Sequence, residues 1–265
     1  MSLRNIFYIK KPIIGVVHLL PLPGSPRAVS LKKVVERAVR DAKAYEDGGV
    51  DGIILENFGD APYLAGSVGP EIIASMTAVA VKVSENVNIP IGVNVLRNDA
   101  KAALAIAHAV GGKFIRVNVH VGVYATDQGV IEGAAYETLI LRKLLNTKVA
   151  IFADVHVKHA RPLWSLDIKH AARDTVVRGL ADAIIITGKA TGEPPSEEDI
   201  LNVRSAVKET PLIVGSGVNV GNVGIYLEIA DGIIVGTSLK IKEKTENPVD
   251  VDRVKVFVKE ADKYR

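Results

Sequence analysis

The sequence predicts an α/β protein closed into one (β/α)8 TIM barrel, and three observations carry that expectation. Eight short β-branched runs alternate with amphipathic segments from one end of the 265 residues to the other. The runs are apolar at consecutive positions, as in parallel strands that helices cover on both faces. A pattern of helix end, small residue, aspartate, small residue and paired isoleucines recurs as "GVDGIIL" (49–55), "LADAIII" (180–186) and "IADGIIV" (229–235), so similar units repeat.

The elements follow in order. "PIIGVVH" (12–18) is the first strand, and "SLKKVVERAVRDAKAYEDGG" (30–49) the first long helix. In that helix Leu31, Val34, Val35, Ala38, Ala42 and Tyr45 share one face, Ser30 fits the N-cap, and Gly48 with Gly49 stops it. Strands are then expected at "GIILEN" (52–57), "IPIGVNV" (89–95) and "KFIRVNV" (113–119), with helices near 70–86, 98–110 and 133–145. "KVAIFADV" (148–155), "DAIIITG" (182–188), "PLIVGSG" (211–217) and "DGIIVGT" (231–237) complete the strands, with helices near 166–180, 196–208, 220–229 and 249–263. No linker-like break interrupts the series, so residues 1–265 are read as one domain. Right-handed β–α units of this number close naturally on themselves. The rival, an open doubly wound sheet, expects a G-x-G-x-x-G turn after the first strand, and none is there. Asp51, Asp182 and Asp231 fall at strand entrances, the end of a barrel that serves stability.

Composition excludes several classes of function. Apolar residues make up 48% and charged residues 24%, which is globular rather than disordered. Thirty-three basic and 30 acidic residues leave a net charge of +3, with no basic stripe interleaved with aromatics, so no nucleic-acid partner is expected. The absence of cysteine excludes disulfides, thiolate metal sites and a thiol nucleophile. Few methionines beside abundant Val and Ile suggest a protein of the cell interior from a hot environment. "IKKPIIGVVHLLPLPG" (9–24) has the charge and apolar run of a leader, but its prolines and His18 fit a strand leaving into a Pro-rich loop. No run is long enough to span a bilayer. A cytoplasmic location follows as the expectation; a homo-oligomer is compatible with it.

Chemistry in this fold gathers where strands end. Reading each strand to that end gives His18, Glu56 with Asn57, Asn94, Asn118, Asp154 and Thr187, then the turns Gly215–Ser216–Gly217 and Gly236–Thr237–Ser238. So many polar residues after apolar runs exceed what a purely structural barrel needs. The last two turns combine glycines, which let amides approach an anion, with hydroxyls and a following helix N-terminus. A phosphate held after the seventh and eighth strands is a recurrent use of this architecture, and that reading is preferred to tight turns alone.

"FADVHVKHARPLW" (152–164) sets Asp154, His156 and Lys158 at alternate positions, on one face if the chain stays extended. Two histidines three apart on a loop, with no thiolates in the chain, do not make a zinc site. Mg²⁺ between Glu56 and Asp154 is conceivable but nothing in the spacing supports it, so no cofactor is expected. Acid/base chemistry needs less: Asp154, pointing inward, would move protons together with Glu56 or His156. Lys158 could bind an anion or form a Schiff base if its pKa were depressed. Lys189, in "TGKATGEPP", is its rival and reads better as a solvated loop charge. The segment "VNVHVGVYATDQGVIEG" (117–133) is long enough for a lid or binding loop and offers His120, Tyr124, Thr126, Asp127 and Gln128.

"GVVHLLPLPGSP", "GVDGIILENFGDAPY", "PIGVNVLRNDAKAALAIA", "FIRVNVHVG", "TDQGVIEG", "ADVHVKHA" and "VGSGVNVGNV" run in order along almost the whole chain. Together they resemble the BtpA family. The resemblance implies a barrel related to phosphate-binding (β/α)8 proteins. The family takes its name from a cyanobacterial factor needed for photosystem I accumulation, and a bacterial branch is associated with sugar-utilisation genes. It implies no reaction and transfers no catalytic residue.

Two functions therefore stand as expectations. The first is an enzyme acting on a small phosphorylated sugar or nucleotide-like compound at the barrel mouth, by isomerase, lyase or glycosyl-transfer chemistry. The second is a non-catalytic assembly factor, as the family name suggests.

Overall fold

The computed structural model describes residues 2–188 and 193–265. Eight parallel strands form the closed barrel: β1 (Ile13–His18), β2 (Gly52–Glu56), β3 (Ile91–Asn94), β4 (Phe114–Val117), β7 (Ala150–Val155), β9 (Ala183–Ile186), β10 (Leu212–Gly215) and β11 (Gly232–Val235). Closure comes from β1, which pairs with β2 on one side and β11 on the other. Around them run α2 (Leu31–Gly48), α3 (Pro70–Ser84), α4 (Ala100–Ala109), α5 (Ala135–Leu144), α6 (Ile168–Arg173), α7 (Glu197–Ala206), α8 (Val223–Ile229) and α9 (Val251–Ala261). Each of the eight expected strands is present as a barrel strand, trimmed by up to three residues where the apolar run continues into a loop. The fold is the TIM barrel.

Alternation along the strands makes two cores. Side chains such as Ile13, Val17, Ile53 and Leu55 meet the helices, while Ile14, Val16, Ile54, Phe114, Phe152, Ile185 and Ile234 fill the interior. A short helix that periodicity does not reveal, α1 (Arg4–Phe7), closes the N-terminal end of the barrel with Leu3, Ile6 and Phe7. The Phe7 ring meets Phe114 edge-on at 5.5 Å, and Phe114 stacks on Phe152 at 4.7 Å. Gly92 is required beneath that stack, because a Cβ there would lie 2.3 Å from the Phe114 ring. One end of the barrel is thus sealed by rings, which leaves the other for chemistry.

The recurrent aspartates stitch the sealed end. Oδ2 of Asp51 accepts from the Ile13 amide at 2.7 Å, that of Asp182 from Ile151 at 2.8 Å, and that of Asp231 from Leu212 at 2.8 Å. Each also meets an arginine: Arg265, Arg142 and Arg204 respectively. The carboxylate supplies an acceptor that the adjoining strand cannot offer at its first residues.

Two departures from the sequence expectation bear on the site. The long connection after β4 folds into a hairpin, β5 (Val123–Thr126) and β6 (Gly129–Glu132), which pairs with β8 (Ala160–Pro162) as a small antiparallel sheet. Its own small core is Val119, Tyr124, Ile131 and Val157. Ser30 does sit at the start of α2, but its hydroxyl caps no amide.

Candidate functional site

The barrel register sets the polar residues side by side. His18 is the Cα partner of Glu56, and Glu56 of Asn94, so three neighbouring strands end on polar groups at one level. Asn94 Nδ2 donates to Glu56 Oε2 at 2.7 Å. Both residues are almost fully buried, and so are Asn118 and Asp154.

At the centre lies a residue the sequence reading passed over. Arg116 is inward on β4, two positions beyond the inward Phe114, and is 4% exposed. Its Nε donates to Asp154 Oδ1 at 3.0 Å and its Nη2 to Asp154 Oδ2 at 2.9 Å, a bidentate pair. Asn118 Nδ2 adds a third bond to Asp154 Oδ2 at 3.0 Å. Arg116 Nη1 stands 3.7 Å from Glu56 Oε2. The guanidinium therefore occupies the ground between Glu56 and Asp154 where a bridging Mg²⁺ was conceived. Desolvation opposes the Arg116 charge, but Asp154 and Glu56 outweigh it and hold its pKa up. The signal was legible in parity: in "FIRVN" an arginine sits between Phe114 and Asn118 on the inward side.

The alternation of Asp154, His156 and Lys158 does not survive the turn. His156 takes a left-handed backbone with φ of 50°, so the chain leaves its extended path there. The His156 ring lies 6.5 Å from the Tyr124 ring and lines a separate cavity of about 780 Å³ with Arg161 and Asp199. Burial lowers its pKa. Lys158, by contrast, returns to the mouth, where it and Glu56 line two adjoining cavities. Burial, reinforced by the Arg116 charge, pushes the Lys158 pKa down to about 8.

The first cavity, about 170 Å³, is lined by Ser216–Asn219 and Gly236–Ser238 together with His18, Glu56, Arg116, Lys158 and Glu243. Ser216 and Gly217 both have positive φ, 71° and 64°. Among the described residues, the amides of Ser216, Gly217, Val218, Gly236, Thr237 and Ser238 have no acceptor. Two of the three hydroxyls are engaged: Ser238 donates to the Val218 carbonyl at 2.6 Å, and Thr237 meets Thr245 at 2.8 Å. Gly236 passes close under His18, since a Cβ there would lie 2.7 Å from Cε1. The His18 pKa is held well below its ordinary value, first by burial and then by Lys240 and Lys158. Its ring is neutral at neutral pH, lies edge-on to Phe58 at 4.9 Å and keeps Nε2 3.9 Å from Glu56 Oε1.

The second cavity, about 230 Å³, is lined by Phe58, Tyr63, Arg97, Asn118, Asp127 and Gln128 besides the shared Glu56 and Lys158. The tip of the β5–β6 hairpin supplies Asp127 and Gln128, so the small sheet roofs this half of the mouth. Arg97 donates to the Lys158 carbonyl at 2.5 Å and fixes the backbone that carries the lysine.

Other expected residues lie nearby in bracing positions. Asn57 accepts from the Leu96 amide at 2.7 Å and donates to Asp60 at 3.0 Å, tying the loops after β2 and β3. The Thr187 hydroxyl accepts from the Lys158 amide at 3.2 Å. His120 Nε2 lies 2.7 Å from the Gly179 carbonyl, away from the mouth. Lys189 lies outside the described residues.

Fold and mouth together define a TIM barrel with a polar, ion-paired cavity framed by two glycine turns. The chain belongs to the BtpA family, whose profile matches residues 9–263. It is 50% identical over 259 residues to the photosystem I biogenesis protein BtpA of Synechocystis sp., covering 97% of this chain and 90% of that one. An uncharacterized protein of Pyrococcus furiosus is 49% identical, with 97% of each chain covered. Among solved structures, thiamine phosphate pyrophosphorylase from Pyrococcus furiosus superposes with a TM-score of 0.60 at 12% identity over 99% of both chains. Orotidine 5'-phosphate decarboxylase from Pyrococcus horikoshii gives 0.60 at 17% identity, over 94% of this chain and 99% of that one. At such identities the likeness shows the fold. No helix among the described residues is long and apolar enough to cross a membrane.

Proposed function

We propose that the barrel mouth binds a small phosphorylated compound, sugar or nucleotide-like, and acts on it by proton transfer. The observation that carries this reading is the first cavity. Both glycine turns, whose amides have no acceptor among the described residues, line it together with Arg116 and Lys158, and Glu56 and Glu243 are its carboxylates. Unpartnered amides beside two cations suit a phosphate better than a neutral group. Solved barrels of this fold include two whose names carry a phosphate compound, which sets the compounds to try first.

Glu56 and Lys158 are the proton-moving pair in this reading, because they stand at the junction of the two cavities. A lysine with a pKa of about 8 exchanges a proton near neutral pH and supplies there a fraction of the neutral amine, the form that attacks a carbonyl. Asp154 positions Arg116 rather than carrying protons. The pair suits isomerase, lyase or glycosyl-transfer chemistry.

A second reading is favoured by the 50% identity to the photosystem I biogenesis protein: a non-catalytic assembly factor. Its surface would be the exposed stripe Tyr136, Ile140 and Leu144 on α5. The test is a thermal-shift panel of phosphorylated sugars and nucleotides, with and without Mg²⁺, followed by Glu56→Gln and Lys158→Gln. The expected result is stabilisation by one compound class that both variants lose. A flat panel, with full complementation by both variants in a relative's deletion strain, would overturn the enzyme reading in favour of the second.

A further inference from the structure

The outer face of α5 differs in kind from that of α2. The exposed residues of α2 are Lys32, Lys33, Glu36, Arg40, Lys43 and Asp47, all charged. Those of α5 are Tyr136, Glu137, Ile140, Lys143 and Leu144, while its buried Thr138 marks the opposite side. At about 100° per residue the three apolar side chains form one stripe with Ile140 at its middle, and Glu137 and Lys143 stand at its two edges. Tyr136 and Leu144 are 74% and 76% exposed, so a single chain leaves the stripe in water. Among the described residues neither Glu137 nor Lys143 makes a side-chain hydrogen bond or ion pair. The order is symmetric: Tyr136 and Leu144 lie four residues either side of Ile140, and the acid and the base lie three. A two-fold axis at Ile140 runs the helix antiparallel to its own copy. Each Tyr136 then comes to the level of Leu144 in the second copy, and each Glu137 to the level of Lys143. A parallel pair would instead set like charges at one level. The face is thus complementary to itself when reversed.

We infer that α5 docks antiparallel on α5 of a second copy of this chain, with Ile140 on the two-fold axis. One helical stripe alone falls short of the roughly 800 Å² that each partner of a stable dimer covers. Val177 and Leu180 widen it, exposed on the next helical segment around the barrel. The two segments are neighbours, since β4 pairs with β7 and Arg142 of α5 reaches Asp182, two residues after Leu180. The inference is independent of what the mouth binds, and it claims for a second copy the stripe that the assembly-factor reading gives to another protein. Because α5 follows β6 directly, the pair also holds the hairpin whose tip roofs the second cavity.

Sedimentation velocity of the full chain, from micromolar to submillimolar concentration, tests this, with far-UV circular dichroism confirming that each variant folds. The expected result is a monomer–dimer equilibrium. Ile140→Glu sets two carboxylates against each other on the axis and should raise the dissociation constant roughly a hundred-fold or more. Val256→Glu, at an exposed position on α9, should leave it unchanged. Glu137→Lys and Lys143→Glu should each weaken the dimer roughly five-fold. The two exchanges together should restore it, because the reversed order of charges is again complementary to itself. A chain that stays monomeric throughout, or a dimer that Ile140→Glu leaves intact, overturns the proposal. A double exchange that binds no tighter than either single one overturns the antiparallel pairing.

Discussion

Arg116 grips Asp154 through both carboxylate oxygens, at 3.0 and 2.9 Å, inside a barrel mouth where neither residue is more than 5% exposed. Asn118 gives the same carboxylate a third donor, at 3.0 Å. In the proposed reading its work is to neutralise and aim the guanidinium, whose Nη1 stands 3.7 Å from Glu56.

Asp154→Asn is accordingly expected to cost stability before it costs chemistry. The variant leaves Arg116 buried with Glu56 at 3.7 Å as its nearest carboxylate. Breaking one partner of a buried pair costs about 3–5 kcal/mol, whereas replacing both by apolar groups is often close to neutral. Urea denaturation of Asp154→Asn and of the double variant Arg116→Met with Asp154→Leu measures both. A double variant no more stable than the single one would contradict the account.

Lys158 gives the site a pH dependence whose sign is fixed. With a pKa of about 8, it is charged below that pH and neutral above it. Phosphate affinity should therefore fall as the pH rises through 8, and Lys158→Gln should bind more weakly at neutral pH without that step. Titrating inorganic phosphate at a series of pH values reads this directly. An affinity that rises through the same window would place Lys158 away from the anion.

Gly217 is the residue least able to change in the first glycine turn. Its φ is 64°, and a Cβ there would lie 2.2 Å from the Pro194 nitrogen and 2.5 Å from the Glu193 carbonyl carbon. Backbone cannot move aside as a side-chain tip can. Gly217→Ala is expected to cost about 1–3 kcal/mol of stability and to weaken phosphate binding as the turn shifts. Gly221→Ala is the control, since its nearest neighbour is the Asn219 side chain at 3.2 Å. Equal effects in the two variants would mean that Gly217 has no special place.

What the sequence made legible follows from which interactions are local. Apolar runs such as 182–188 and turn residues such as Gly49 report the backbone near them, so the order of strands and helices could be read. The aspartates at 51, 182 and 231 were readable for the same reason, because their amide partners recur at the neighbouring strand entrance. His156 was not, because a left-handed backbone at a histidine, with φ of 50°, carries no local mark in the sequence. The hairpin itself lacks an apolar alternation strong enough to announce it, and its third strand, Ala160–Pro162, is only three residues long. Arg116 was hidden by its type: an arginine in a strand reads as a surface residue until the parity of Phe114 and Asn118 turns it inward.

Lys240 offers the last prediction, because it is a buried charge that the mouth does not use. It is fully buried behind the Gly236–Ser238 turn, with Nζ 3.6 Å from Asp41 and 5.8 Å from the centre of the Tyr45 ring. Asp41 already has Arg37 Nε at 2.8 Å and the Val249 amide at 3.1 Å, so the lysine is its weaker partner. Burial pushes the Lys240 pKa down to about 8, against the opposing pull of Asp41. In the unfolded chain a lysine keeps its proton to about pH 10.4. Between these values the unfolded state binds more protons than the folded one, so stability rises with pH across that window. Lys158 acts with the same sign. Tyr45 acts with the opposite sign above about pH 10, where the unfolded phenol ionises and the buried one, its pKa raised mainly by desolvation, does not. Lys240→Met keeps the packing on Tyr45 and removes the titration. Between pH ~7.5 and ~9.5 its unfolding free energy should climb less steeply than that of the parent chain, as the linkage requires. Parallel curves over that range would show that Lys240 keeps an ordinary proton affinity in the folded protein.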